Sequence, residues 1–163
     1  MKSRETSTRW VLAMYVLLRD RRGRVLLLRR SPRTKHFAGT WELPGGKPAP
    51  GEAFDRTALL EAIEETGLDV ELDGVAGATE ASVPGLRVAA LVMTGVALSS
   101  EVTLSPEHDE FRWLSLAEVG ELKLRPGFEK FFAHYGARQT KPAAKQRPTR
   151  RVGKQSKLTK PKR

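Results

Sequence analysis

Residues 45–68 read GGKPAPGEAFDRTALLEAIEETGL. With Trp41–Pro44 in front of it, the first half holds two adjacent glycines and three prolines, which predicts a rigid loop over 41–52 without regular structure. The second half predicts a helix over 53–66, closed by Gly67 where a left-handed C-terminal residue belongs. Glu61, Glu64 and Glu65 are three and four residues apart and so share one side of that helix. Like charges at that spacing cost an isolated helix about 0.2–0.5 kcal/mol per pair unless a positive charge lies between them. A divalent cation such as Mg²⁺, which takes oxygen ligands from one or two carboxylates together with substrate phosphates, fits the need. At 100° per residue Leu59, Ala62 and Ile63 fall away from the glutamates, so the helix is expected to lay that apolar side on a sheet and turn its carboxylates to a cleft.

Working outward, WVLAMYVLL (10–18), the turn DRRG (20–23) and RVLLLRR (24–30) read as an apolar hairpin, followed by a loop, SPRTKHFAGT (31–40). VAGATEAS (75–82) and LRVAALVMTGVAL (86–98) read as strands around a Pro84–Gly85 turn, and FRWLS (111–115) as a short strand. SLAEVGEL (115–122) and PGFEKFFAHYG (126–136) read as helices, the second with Phe128, Phe131 and Phe132 as an apolar face. Trp41 and Trp113 are assigned to the core. Strands and helices alternating in this way predict a layered α/β domain.

The chain of 163 residues carries a formal charge of +10, but the excess is local. Residues 138–163 hold eleven Lys/Arg and no acid, leaving residues 1–137 with eighteen basic and nineteen acidic side chains. The expected organisation is an N-terminal arm (1–9), one domain (10–136) and a disordered basic tail (137–163). Such a tail suits nonspecific contact with a nucleic acid or another polyanion, weakening as salt rises. It has no aromatic residue to stack on bases. There is no cysteine, hence no disulfide or thiolate metal site. Lys2, Arg4 and Arg9 before the apolar run mimic a signal peptide, yet RDRRGR follows in place of a small-residue cleavage site. No stretch approaches the ~20 apolar residues of a membrane span. A cytoplasmic location is expected.

Counted from Gly46, the chain gives five residues, Glu52, eight residues, Glu61, two residues, Glu64–Glu65, one residue, Gly67 and Leu68. This resembles the Nudix box, and WELPGG and VLLLRR resemble the segments flanking it, so the likeness runs over residues 10–136. The resemblance implies a Nudix-like α/β/α sandwich with a mixed β-sheet, and Mg²⁺- or Mn²⁺-dependent hydrolysis of a nucleoside diphosphate linked to another moiety. By matching position it implies Glu64 and Glu65 as the main metal ligands, Glu61 as a ligand or the base that activates water, Gly45 as a carbonyl ligand and Glu52 as a lesser contributor. Glu107 is a further candidate metal ligand. Gly46, Lys47, Glu52 and Phe37 are candidates for substrate contact, with His36 beside Phe37. One position departs from the pattern: Leu60 stands where the family has an arginine that orients the glutamates, with Arg56 one turn away. A nucleoside triphosphate, oxidised or not, leads as substrate. ADP-ribose, dinucleoside polyphosphates and capped or triphosphorylated RNA are the alternatives, and a catalytically weakened nucleotide- or RNA-binding protein is the rival class.

Overall fold

The computed structural model describes residues 8–140. Its first strand, β1 (Arg9–Arg19), is the trunk of a mixed sheet. On one side β1 pairs in parallel with β6 (Leu86–Ala97), from Arg9↔Leu86 to Arg19↔Val96, and β6 pairs antiparallel with β5 (Val70–Val83). On the other side β1 meets β2 (Val25–Arg30) through the expected hairpin, and β2 carries both β3 (Trp41–Glu42) and β7 (His108–Leu114). Among the described residues no helix is long and apolar enough to cross a membrane.

Successive residues of β1 feed opposite layers. Ala13, Tyr15 and Leu17 join Phe128, Phe131, Phe132 and Tyr135 of helix α3 (Phe128–Gln139), while Met14, Val16 and Leu18 join Leu26, Leu28, Ala58 and Ala62 on the side of helix α1 (Phe54–Thr66). Burial on both faces is why β1 reads as an unbroken apolar run instead of an alternation. Helices on both faces of a mixed sheet make the α/β/α sandwich. Trp41 lies in the first of these clusters, and Trp113 packs half-buried against the second.

Three local expectations need correction. The segment 41–52 is not wholly irregular: β3 and β4 (Gly45–Gly46) are strands of two residues each, β4 pairing with Met14 and Tyr15 of β1. The glycines allow this approach, since a Cβ on Gly45 would run into the Met14 carbonyl and the Tyr15 ring. The helix predicted over 115–122 is short, α2 spanning Leu116–Val119 behind a Ser115/Glu118 capping box, whereas α3 runs through Gln139, past the expected start of the tail at residue 137. Residues 1–7 and 141–163, with most of the expected arm and tail, lie outside the described residues.

The third correction concerns how α1 faces the sheet. Its buried residues are Thr57, Ala58, Ala62, Glu65 and Thr66, while Leu60 and Ile63 are 43% and 40% exposed. Small side chains let the helix axis approach closely, and the helix rolls so that Glu65, not Ile63, goes underneath. Gly67 closes it as expected, at φ 66° with its N–H donating to the Ile63 carbonyl.

This packing predicts that Phe131→Ala, at the centre of the α3 aromatic layer, lowers unfolding free energy by about 3–5 kcal/mol. Ile63→Ala, despite its apolar parent, should stay within about 0.5 kcal/mol of wild type. Urea denaturation of both variants checks the pair, and a large loss at Ile63 would mean that α1 is rolled the other way.

Candidate active site

A cavity of about 910 Å³ opens between the acidic side of α1, the β4 glycines and the β5–β6 hairpin. Glu61, Glu65, Glu107, Gly45, Gly46 and Lys47 mark one part of its wall. Tyr15, Phe37, Phe128 and small side chains such as Ala13, Ala81 and Ala90 mark another.

Glu65 is 6% exposed, and its Oε2 accepts a 2.8 Å hydrogen bond from the Gly45 N–H. Burial pushes its pKa up to about 9, the Gly45 bond opposing and the negative charges of Glu42, Glu61 and Glu107 assisting. Glu61 lies half-buried with its carboxylate against Gly46, where a Cβ would collide with it. Burial first, then Glu64, Glu107 and Glu52, raises the pKa of Glu61 as well.

The other predicted residues are placed less uniformly. Glu64 is exposed and absent from the cavity wall. Glu52 also lies off the wall, its Oε2 accepting from Thr57 Oγ1 at 2.8 Å and from the Ala49 N–H at 3.2 Å at the start of α1. Those bonds, with Arg56 adding to them, hold the Glu52 pKa below the ordinary range, so Arg56 serves Glu52. Glu107 is on the wall with its side chain 64% exposed. Phe37 reaches the wall from a left-handed backbone, φ 57°, uncommon for a residue with a side chain, and His36 lines the cavity beside it.

The sequence reading did not find the buried carboxylate that two wall residues, Arg30 and Arg125, share. Glu42, 2% exposed, accepts hydrogen bonds from Arg30 Nη1 (2.7 Å), Arg125 Nη1 and His108 Nε2 (3.0 Å). Burial opposes its charge, but the His108 bond and the two guanidiniums prevail and hold its pKa at about 2. His108 Nδ1, without a hydrogen-bond partner among the described residues, lies 4.0 Å from Glu65 Oε1. A carboxylate between Trp41 and Leu43 in a strand segment was the available signal, because an acid among core residues must be paired.

A divalent ion fits this donor set only as a partner shared with substrate. Among the described residues no three His, Asp or Glu side chains form a ready-made cage. However, the donors around Glu61 and Glu65 are oxygens, and the carboxylates of Glu42, Glu61 and Glu107 all press negative charge on Glu65. A cation held by one or two carboxylates and completed by phosphate oxygens answers that imbalance.

A NUDIX domain model matches residues 9–135. The chain belongs to that family. It is 35% identical over 108 residues to "Putative 8-oxo-dGTP diphosphatase 3" of Mycobacterium tuberculosis, covering 63% of this chain and 50% of that protein. It is 34% identical over 99 residues to a "MutT-like protein" of Streptomyces ambofaciens, covering 61% of this chain and 60% of that one. The chain thus spans about half to three-fifths of the length of these curated relatives. The crystal structure of a MutT protein from Methanosarcina mazei Go1 superposes with a TM-score of 0.78 at 33% identity, covering 83% of this chain and 99% of that one.

The two buried carboxyls predict a pH dependence of stability in chelator. Glu65 keeps its proton up to about pH 9 when folded but only to its ordinary value of 4.5 when unfolded. Its contribution is therefore complete below that value and is lost as pH rises between the two. Glu42 acts oppositely, its contribution being lost as pH falls from 4.5 toward about 2. Thermal melts should show stability falling from pH 5 to about pH 9, and Glu65→Gln should flatten that limb. An unchanged slope in the variant would remove Glu65 as its source.

Proposed function

We propose that the chain hydrolyses a pyrophosphate linkage of a nucleotide with Mg²⁺ or Mn²⁺, a nucleoside triphosphate, in particular 8-oxo-dGTP, being the leading substrate. The observation that carries the reading is the two-part cavity: carboxylates and glycine backbone in one part, aromatic and small apolar side chains in the other. A nucleotide has the same division, a phosphate chain and a flat, largely apolar base. The name of the M. tuberculosis relative supports the choice of substrate.

In this reading Glu65, Glu61 and the Gly45 carbonyl would hold the ion, and Glu107 on the wall and the exposed Glu64 would be its further carboxylate ligands. The bound ion would neutralise phosphate charge and lower the pKa of the attacking water. Glu61, whose proton affinity is already raised, is the candidate acceptor of that water's proton. Lys35 and Lys47 line the same cavity and orient the phosphate chain. Gly46 gives the Glu61 carboxylate room beside the loop. Phe37 faces the base. Leu60, exposed, leaves the carboxylates to be oriented by backbone contact and substrate-bound ion instead of by an arginine.

Glu65→Gln and Glu64→Gln should cut kcat for 8-oxo-dGTP about 100-fold or more at saturating Mg²⁺ while far-UV circular dichroism stays native, because each removes a ligand charge. Assays against dGTP, ADP-ribose, a dinucleoside tetraphosphate and 5′-triphosphorylated RNA run on the same preparations rank the substrates by kcat/KM. Wild-type turnover in the Glu65 variant would sink the assignment.

The same reading gives the basic segment 141–163, with ten Lys/Arg and no acid, a separate role as a nonspecific nucleic-acid arm. Removing it after Thr140 spares α3. The truncated chain should lose most affinity for single-stranded RNA at 50 mM salt, in a fluorescence anisotropy titration, and keep its turnover of a mononucleotide. RNA affinity retained by the truncated chain would place the contact elsewhere.

A further inference from the structure

The Glu42 cluster has a role that the carboxylate end of the cavity does not account for. A buried ion pair adds little stability over an apolar packing of similar volume, so three charged or polar partners around one core carboxylate call for another use. Arg125 is the informative partner. Its backbone is laid along β3, the Trp41 N–H donating to the Lys123 carbonyl and the Arg125 N–H to the Trp41 carbonyl, both at 2.9 Å. Its side chain then turns back to Glu42, with the guanidinium carbon 4.9 Å from the Phe37 ring centre and 5.9 Å from that of Tyr15. Among the described residues only Nη1 is hydrogen-bonded to protein, and the residue lines the cavity, which leaves the Nε and Nη2 donors for a ligand.

Arg30 ties in the rest of this wall. Its Nη1 is held by Glu42 and its Nε donates to the His36 carbonyl at 3.0 Å, fixing the chain just before Phe37. That contact supports the left-handed backbone of Phe37, a conformation that persists only where its surroundings impose it. Glu42 therefore sets two parts of one wall at once: a cationic donor and the aromatic ring beneath it.

We propose that Glu42 is a positioning residue for base selection: it fixes Arg125 against Phe37 so that the free guanidinium N–H groups recognise the carbonyl oxygens of guanine or its 8-oxo derivative. The inference rests on the nucleotide reading above and adds the residues that choose the base. Guanine offers O6 as an acceptor where adenine offers an amino donor, so a fixed guanidinium donates to the first and is opposed by the second. Without Glu42 the guanidinium keeps its charge but loses its place.

The test measures kcat and KM for 8-oxo-dGTP, dGTP and dATP, and calorimetric binding of dGMP, on wild type, Glu42→Gln, Arg125→Gln and the double variant. The expected result is a wild-type preference for guanine over adenine nucleotides in kcat/KM that falls about 10-fold in each single variant, chiefly through KM for the guanine nucleotides. The double variant should be no worse than the worse single one, because both changes remove the same contact. Equal KM increases for guanine and adenine nucleotides, additive effects, or a wild type without base preference would each overturn the inference while leaving the hydrolytic reading in place. Should Glu42→Gln fail to fold, Arg125→Gln alone decides by the same ratio, since its side chain is anchored at a single atom. A wild type that neither turns over these nucleotides nor binds dGMP overturns both readings.

Discussion

The hydrogen bond from the Gly45 N–H to the buried Glu65 carboxyl joins the elements on which the site depends. It seats helix α1 on β4, and β4 in turn lies along Met14 and Tyr15 of the trunk strand. Because Glu65 occupies the face that an ordinary amphipathic helix would fill with an aliphatic side chain, α1 contributes alanines and threonine to the core and leaves Ile63 in solvent. Packing strength is given up in exchange for a carboxyl group held at fixed depth. The aromatic layer of α3 on the opposite face of the sheet supplies the compensating burial.

Charge is organised around this arrangement in two neighbouring centres of opposite character. Around Glu65 and Glu61 the neighbouring carboxylates raise one another's proton affinity. Around Glu42 a single carboxylate is surrounded by two guanidiniums and an imidazole and stays ionised. His108 stands between them, bonded to Glu42 and 4.0 Å from Glu65. A divalent ion at the first centre would make it attractive to phosphates, and an acceptor-bearing base near the second would meet guanidinium donors, which is the electrostatic content of the functional reading.

The sequence revealed a layered α/β domain because its signals were local, and the Nudix resemblance supplied the expectation of an α/β/α sandwich. The doubly buried β1 run, the Pro84–Gly85 turn, Gly67 after the acidic helix and the phenylalanines of α3 each act within a few residues of themselves, and each is found as read. The glutamate spacing also located the acidic side of the cavity. Angular periodicity alone could not tell how α1 rolls, because that depends on the clearance offered by Ala58, Ala62 and the β4 glycines, a tertiary quantity. Glu42, Arg30, His108 and Arg125 come together only through strand pairing and a loop 83 residues away from Glu42, so no window of sequence contains them. Glu64 and Glu52 illustrate the converse: spacing grouped Glu64 with Glu61 and the resemblance added Glu52, and the fold sets both off the wall, with Glu52 turned to the helix start.

The central claim is that the cavity breaks a phosphoanhydride bond. The direct measurement is ³¹P NMR of 8-oxo-dGTP incubated in ¹⁸O-labelled water with the purified full chain and Mg²⁺, alongside a sample containing excess chelator. The account predicts loss of the triphosphate resonances and a single ¹⁸O label in the products with the ion present, and an unchanged spectrum with chelator. Triphosphate recovered intact from both samples, with Mn²⁺ as well as Mg²⁺ and with dGTP as well as its oxidised form, would contradict it.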